Sequence, residues 1–352
     1  MRWRSYKELP VKRFNRAEIY KNTLWLESLP GMYEKTGRLF SLDLEYEKIM
    51  EAVPHHGNIE DFVIQPDGTI FAMMSYKDAD ELWFCRKNEW DFISKIRAYE
   101  EIPPGFDETK TRPRSRLLNI FVWKQEIIIL TAASIMRYSL DKKEWKQVKL
   151  SERFYNAPHS PSAVITSSGM IYLGFNGGEF GGSLRSICIE TGLVTNLEWA
   201  ATVGSEVQLV HLREEDIRES QPLYQTLLTP VTGIIIDPSD PDKIIYSLGM
   251  QHMSFEHGGI FKVHETGKEL VFGETAVYDL RSNGKSYFAG TSISLLEFRD
   301  GNQRSIDYGI LRNVGGAWLS TPAPGVAVIS TDMNRATSLC GNTPLLAVEK
   351  KK

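Results

Sequence analysis

The chain has 352 residues, with 41 Lys and Arg against 45 Asp and Glu, and a formal net charge of −4 at pH 7. That balance leaves no broad basic surface and argues against nucleic acid as a partner, while 42% hydrophobic and 24% charged residues are the proportions of a folded, water-soluble chain. No apolar run approaches the ~18 residues of a membrane-crossing helix, and no apolar core follows the basic start MRWRSYKELPVKRFNR, so the expectation is a cytoplasmic protein with no membrane partner.

A chain of this length outgrows one ordinary core, so it holds either two domains or a repeat that grows by adding units. The repeat is visible. Seven segments share an apolar-alternating run, a polar or glycine-bearing turn and a second run: 38–53, 81–96, 134–150, 183–199, 259–273, 294–309 and 335–350. Each is predicted to be a β-hairpin. Ahead of each lies another run rich in β-branched and aromatic residues, as in NTLWLES (22–28), TIFAMMSY (69–76), EIIILTAA (126–133), MIYLGFN (170–176), KIIYSLG (243–249), KSYFAGTS (285–292) and GVAVISTD (325–332). Several of these follow a further run and a tight turn: DFVIQPDG (61–68), SAVITSSG (162–169), GIIIDPSDPD (233–242) and YDLRSNG (278–284). The unit is therefore four antiparallel strands of ~50 residues, the size of a propeller blade. The expected fold is all-β, a seven-bladed β-propeller, with six blades plus an N-terminal arm as the alternative. The whole of 1–352 forms one domain in this reading, with an insertion at about 200–228 that has room for a short helix on an outer loop.

Hairpins with an aromatic residue in one strand and a tryptophan after a charged turn, IMRYSLDKKEW (135–145) and LWFCRKNEW (82–90), resemble blades of the broad kelch and other quinoprotein-like propellers. The kelch Gly-Gly doublet does not recur blade by blade, and no Trp-Asp dipeptide ends the blades. The segments GFNGGEFGG (174–182) and VTGIIIDPSDPDKIIYSLG (231–249) are similar to parts of uncharacterised bacterial propeller proteins, a resemblance that implies a fold and no activity.

GFNGGEFGGSL (174–184) falls between the second and third strands of the fourth blade, a connection that in propellers faces the ligand-binding mouth. Its glycines allow positive φ and close approach, and Asn176 and Glu179 are its polar tips. It is no phosphate cradle, since no Lys-Ser/Thr follows and no strand-to-helix context surrounds it. The one GKS, at 284–286, has Asp279 where a Walker glycine is required.

The same bookkeeping sends His55 and His56, His159, and His252 and His257 to connections on that face, with His211 in the insertion and only His264 inside a hairpin. Such imidazoles are candidate metal ligands or acid–base groups, although no HxH or HExxH spacing fixes two of them on one element. Glu256, Asp332 and Arg335 join them as candidate partner-binding groups. Asp78 and Asp80 in KDADE form either a cation-binding pair or a solvated loop tip. No GxSxG elbow exists, and Ser254 lacks the turn a nucleophile needs. Cys85, Cys188 and Cys340 each sit in a predicted third strand, dispersed and odd in number, which fits buried thiols rather than disulfides or a zinc site. The long connection 97–116 carries TKTRPRSR, able to take an acidic partner through bidentate arginines.

Two function classes follow. One is a non-enzymatic propeller that docks a protein or other ligand on its loop rim, an antagonist of a bacterial toxin being one form; the other is a metal-dependent lyase or hydrolase with a histidine-lined site at the channel mouth. The missing catalytic spacings favour the first, with a protein partner, a small-molecule ligand as the lesser option, and no cofactor.

Overall fold

The structure, a computed structural model, describes residues 14–28, 38–44, 49–51, 57–76, 79–87, 89–98, 114–154, 161–177, 181–197, 229–252, 255–264, 267–273, 275–291, 294–307, 318–323, 326–330 and 345–348. Every regular element among them is a strand. The first sheet contains β1 (Phe14–Tyr20), β2 (Thr23–Ser28), β3 (Leu39–Asp43) and β4 (Ile49–Glu51); the second β5 (Asn58–Ile64), β6 (Ile70–Ser75), β7 (Asp80–Arg86) and β8 (Glu89–Ile96). The third holds β9 (Leu117–Trp123), β10 (Glu126–Thr131), β11 (Ser134–Ser139) and β12 (Glu144–Lys149), and the fourth β13 (Ser162–Ile165), β14 (Met170–Asn176), β15 (Gly182–Cys188) and β16 (Val194–Asn196). The fifth is β17 (Val231–Asp237), β18 (Asp240–His252), β19 (Phe255–His264) and β20 (Gly267–Gly273); the sixth is β21 (Val277–Ser282), β22 (Tyr287–Thr291), β23 (Ser294–Arg299) and β24 (Asn302–Asp307). A last sheet has three strands, β25 (Trp318–Ala323), β26 (Val326–Ser330) and β27 (Leu345–Val348).

Each sheet is an antiparallel meander in chain order, the blade of a β-propeller. Among the described residues six blades have four strands, which corrects the main expectation of seven blades and matches the alternative count of six. The sheet with three described strands lies at the C-terminal end, and no N-terminal arm stands in place of a blade, because β1–β4 between residues 14 and 51 form a four-stranded blade. In the last sheet LLAV pairs directly with β26, Val326 opposite Val348. The expected hairpin over 335–350 would have put those residues one strand further out; its first half, with Cys340, lies outside the described residues. The same is true of the insertion at 200–228.

The described strands fall into two compact units. In the first, blades one to three and the C-terminal sheet pack side by side, β1 against β25 and β5 against β9. Alternation explains why the inner strands read as continuous apolar runs. Ile70, Ala72 and Met74 of β6 join Trp25 and Leu39 of blade one in one core, while Phe71 and Met73 join Ile127 and Ile129 of blade three in the next. A strand with a blade on each side is apolar on both faces. In the second unit β18 repeats the pattern, with Ile244, Tyr246 and Leu248 beside Leu184 of blade four and Ile245 beside Leu280 and Leu296 of blade six.

First strands carry a recurrent irregularity. The register of the first pair shifts near its open end in five blades, between Phe14 and Arg16, Ile59 and Asp61, Leu130 and Thr131, Val231 and Gly233, and Val277 and Asp279. A β-bulge re-aims the side chains around it, and here those side chains reach the next blade. Arg16 Nη1 donates to Asp61 Oδ1 at 2.8 Å, Ile120 N donates to Asp61 Oδ2 at 3.0 Å, and Asn119 Nδ2 donates to the Pro161 carbonyl at 2.8 Å. In the second unit Ile234 N donates to Ser162 Oγ at 3.0 Å, and Thr232 Oγ1 donates to the Val277 carbonyl. The blades are thus joined by directional polar bonds as well as by apolar packing.

Candidate functional site

The connections from second to third strand divide into tight and long ones. In blades three and six they are minimal turns built the same way: Ser134 N donates to Thr131 Oγ1 at 2.9 Å and Ser294 N donates to Thr291 Oγ1 at 3.0 Å. Local hydroxyl caps of this kind close a turn without exposing backbone. Blades one, two and four have more residues between these two strands, while in blade five, with two residues between them, the strands β18 and β19 themselves run longer.

In blade four the connection runs from Asn176, exposed at the end of β14, to Gly182 at the start of β15. Gly177 N donates to the Gly181 carbonyl at 2.8 Å, and Gly181 has φ +97°. A Cβ on Gly182 would lie 2.4 Å from the Phe175 carbonyl oxygen and 2.5 Å from Pro230 Cα. The glycines therefore serve geometry, as expected of a turn. Glu179 lies outside the described residues. Replacing Gly182 by Ala is expected to destabilise the protein by ~1–3 kcal/mol, the usual cost of overpacking, readable as a lower urea midpoint.

Blade five differs from expectation. His252 and His257 were placed in a loop, but β18 runs on to His252 and β19 begins at Phe255, so both histidines and Glu256 belong to a long two-stranded ribbon. The cross-strand pairs are Met250 with His257, Gln251 with Glu256 and His252 with Phe255. His257 is half-buried, and burial holds its pKa below the usual imidazole value. At the far end of β19, His264 Nε2 is 3.0 Å from Glu269 Oε2 in the outer hairpin, as the sequence pattern implied. His55, His56, His159, His211, Asp332 and Arg335 lie outside the described residues, and among the described ones no three His, Cys, Asp or Glu side chains are grouped to hold a metal.

Blade two holds a charged cluster that the sequence did not assemble. Asp80 is no solvated loop tip. It opens β7, only 5% exposed, with Arg114 Nη1 2.7 Å from its Oδ1 and Arg114 Nη2 donating to the Tyr76 carbonyl at 3.0 Å. Arg114 thus satisfies a carboxylate of its own chain where an acidic partner was expected. Asp78 and residues 99–113 lie outside the described residues. Glu60, the bulged residue of β5, accepts a hydrogen bond from Ser75 Oγ, and Arg114 and Arg116 both stabilise its charge. Desolvation still wins, raising the Glu60 carboxyl above its ordinary range and pushing Asp80 up to about 6, with Glu60 adding to the latter and Arg114 opposing it. The consequence for stability has a definite sign. A carboxyl whose folded pKa exceeds its unfolded value near ~3.9 binds its proton more tightly when folded, so its stabilising contribution is full below pH 4 and is lost as pH rises through 6. The difference in urea midpoint between wild type and Asp80→Asn should therefore shrink steadily over that interval; a difference independent of pH would refute it.

The thiols are unremarkable in placement. Cys85 is buried in β7 against Ile70 and Met74, while Cys188 is half-buried at the end of β15, where hydrogen bonding from Thr191 holds its pKa below the ordinary thiol value. Asp279, the residue that disqualified the GKS motif, is buried after the bulge of β21 and accepts from Leu280 N at 2.9 Å, as Asp61 accepts from Phe62 N at 2.8 Å.

Serial four-stranded meanders with apolar faces on both sides define a β-propeller. Solved structures agree on that fold. The chain is similar to the extracellular domain of BT4673 from B. thetaiotaomicron, with a TM-score of 0.55 and 12% identity over 99% of this chain; it spans 40% of that protein's length. It is similar as well to YCF48 bound to D1 peptide, with a TM-score of 0.56 and 9% identity over 99% of this chain and 96% of the other. YCF48 from Cyanidioschyzon merolae matches with a TM-score of 0.51 and 11% identity, over 98% of each chain. At these identities the likeness is one of fold alone. No family model matches the chain. No curated protein sequence matches it either.

Proposed function

We propose that this chain is a non-catalytic binding propeller that docks a protein partner at the blade ends where second strands pass to third. The observation that carries the reading is the contrast along that end. Within the second unit blade six closes with a Thr-Ser turn, whereas blade five sends β18 and β19 past the rest of its sheet and blade four spends a glycine-lined connection on the same place. A rigid scaffold with elaborated loops on one end is how binding proteins of many folds are built. The peptide seen with YCF48 shows that a chain of this fold can take a polypeptide, and we extend that property to this one. A capping antagonist of a bacterial toxin is a concrete form of the same role.

Native mass spectrometry of the protein isolated gently from its own cells tests the proposal. A stoichiometric protein companion is expected. A lone chain carrying a stoichiometric metal ion would refute the docking role and direct attention to the histidines.

A further inference from the structure

The turn that joins β21 to β22 carries an Asn-Gly step, Asn283–Gly284. In such a step the asparagine side chain meets the next backbone amide with no intervening side chain to hinder it. Here hydrogen bonds surround both groups. Asn283 Oδ1 accepts from Lys285 N at 3.0 Å, from Ser286 N at 2.9 Å and from Ser286 Oγ at 3.2 Å. Two of those partners are backbone N–H groups, which only donate, so the atom that faces them is oxygen and the orientation of the side-chain amide is fixed. Gly284 N donates to Ser282 Oγ at 3.0 Å, and that hydroxyl donates in turn to the Ser286 carbonyl at 3.2 Å.

An Asx turn needs one bond to its side-chain oxygen. Three donors on one carbonyl oxygen do more: they draw electron density from Cγ, and they already point at the negative charge that the oxygen would carry if a nucleophile added there. The nucleophile that chain connectivity supplies is Gly284 N, and its proton is already directed at an acceptor, Ser282 Oγ. Gly284 offers no obstruction, since its φ is +82° and nothing lies within 4 Å of a Cβ there. Asn283, Gly284 and Lys285 are exposed, so solvent reaches the turn. Asn176–Gly177, the second Asn-Gly step of the sequence, is built differently, with Gly177 N donating to the Gly181 carbonyl at 2.8 Å.

We propose that the turn 282–286 promotes deamidation of its own asparagine, which makes Asn283 a site of self-modification. Gly284 N bonds to Asn283 Cγ as its proton passes to Ser282 Oγ. The Cγ–Nδ2 bond then breaks, and Nδ2 takes up a proton and leaves as ammonia. Water adds to one of the two carbonyls of the resulting succinimide and reopens the ring; nothing is oxidised or reduced. Opening on one side gives an aspartate, whose carboxylate accepts from the same three donors. Opening on the other gives an isoaspartate, which adds a methylene to the main chain inside a turn closed by Asn283 N donating to the Ser286 carbonyl at 3.1 Å. The first product keeps the hairpin, and the second strains it beside the last β21–β22 pair, Ser282 with Tyr287.

The test stores the full chain at neutral pH, folded in one sample and in concentrated urea in the other, and follows its peptides by mass spectrometry. Deamidation is read as the amide-to-acid mass gain, and isoaspartate as a separate chromatographic peak. The expected result is that Asn283 converts about tenfold faster in the folded chain than in urea, a modest effect beside that of an oxyanion site closed from water. Ser282→Ala should slow the folded rate several-fold and leave the rate in urea unchanged. Folding ordinarily holds this reaction back by restraining the main chain, so a folded rate equal to or below the rate in urea would overturn the proposal. So would a folded rate at Asn283 no greater than that at Asn176. An unchanged folded rate in Ser282→Ala would overturn the proton route through its hydroxyl.

Discussion

Replacing Asp61 by Ala is expected to cost ~3–5 kcal/mol of stability, the range for breaking a buried, hydrogen-bonded ion pair. Asp61 is 1% exposed and has three roles at once. Its Oδ1 accepts from Arg16 Nη1 at 2.8 Å and from Phe62 N at 2.8 Å, and its Oδ2 accepts from Ile120 N at 3.0 Å. Deleting the carboxylate leaves a guanidinium between blades one and two with Glu18 as its remaining ion-pair partner among the described residues, and strips a buried backbone donor in blade three. The effect should be strongly coupled to Arg16: a double-mutant cycle with Arg16→Ala ought to return a coupling energy above ~1 kcal/mol. The exposed pair Arg38–Glu51, at 3.6 Å with both side chains about half exposed, is the control, and Glu51→Ala should stay within ~0.5 kcal/mol. Equal urea midpoints for Asp61→Ala and Glu51→Ala would show that the inter-blade bonds contribute nothing beyond packing.

The roles of Asp61 also show what could be read from the sequence. The hairpins were legible because their signals are local: TSSG, PDG and SNG turns between β-branched runs, and the Tyr138–Trp145 pair, whose ring centroids lie 5.0 Å apart across β11 and β12. First strands were less so. β1, β9 and β25 were not singled out, and in FNRAEIY and NIEDFVI charged residues interrupt the apolar pattern. Two of those residues, Arg16 and Asp61, flank bulges and bond to neighbouring blades, as Asp61 does to a backbone amide 59 residues away. Periodicity cannot report a partner at that separation. Asp80 was misread for the same reason, since the arginine that permits its burial is 34 residues on. His252 and His257 were misplaced on different grounds. QHMSFEH holds a single strand-favouring residue, Phe255, and the ribbon persists there because β18 and β19 are already paired from Ile245 and Lys262 onward. The turn in GFNGGEFGG was recognised correctly, since glycine chemistry is local.

Gly249→Ala is the second large effect, and it separates crowding from backbone conformation. The added methyl would sit 2.1 Å from the Val277 carbonyl oxygen, 2.9 Å from its carbonyl carbon and 3.0 Å from its nitrogen. None of these atoms is the far end of a flexible side chain, so relief requires moving β21 or lifting the ribbon. A cost of ~3 kcal/mol, the upper end of the overpacking range, is expected. Gly284 is the comparison: its φ of +82° disfavours a side chain, yet nothing lies within 4 Å of a Cβ there. Gly284→Ala should therefore lose only ~1 kcal/mol, the penalty of a left-handed residue. The two variants differ further in where the damage falls. Lifting the ribbon should speed amide exchange across 249–258 and at the start of β21 while leaving blades one to three unchanged. If Gly249→Ala instead proved as mild as Gly284→Ala with unaltered exchange in the ribbon, the close approach of the bare Gly249 backbone to Val277 would contribute nothing to holding the ribbon's base.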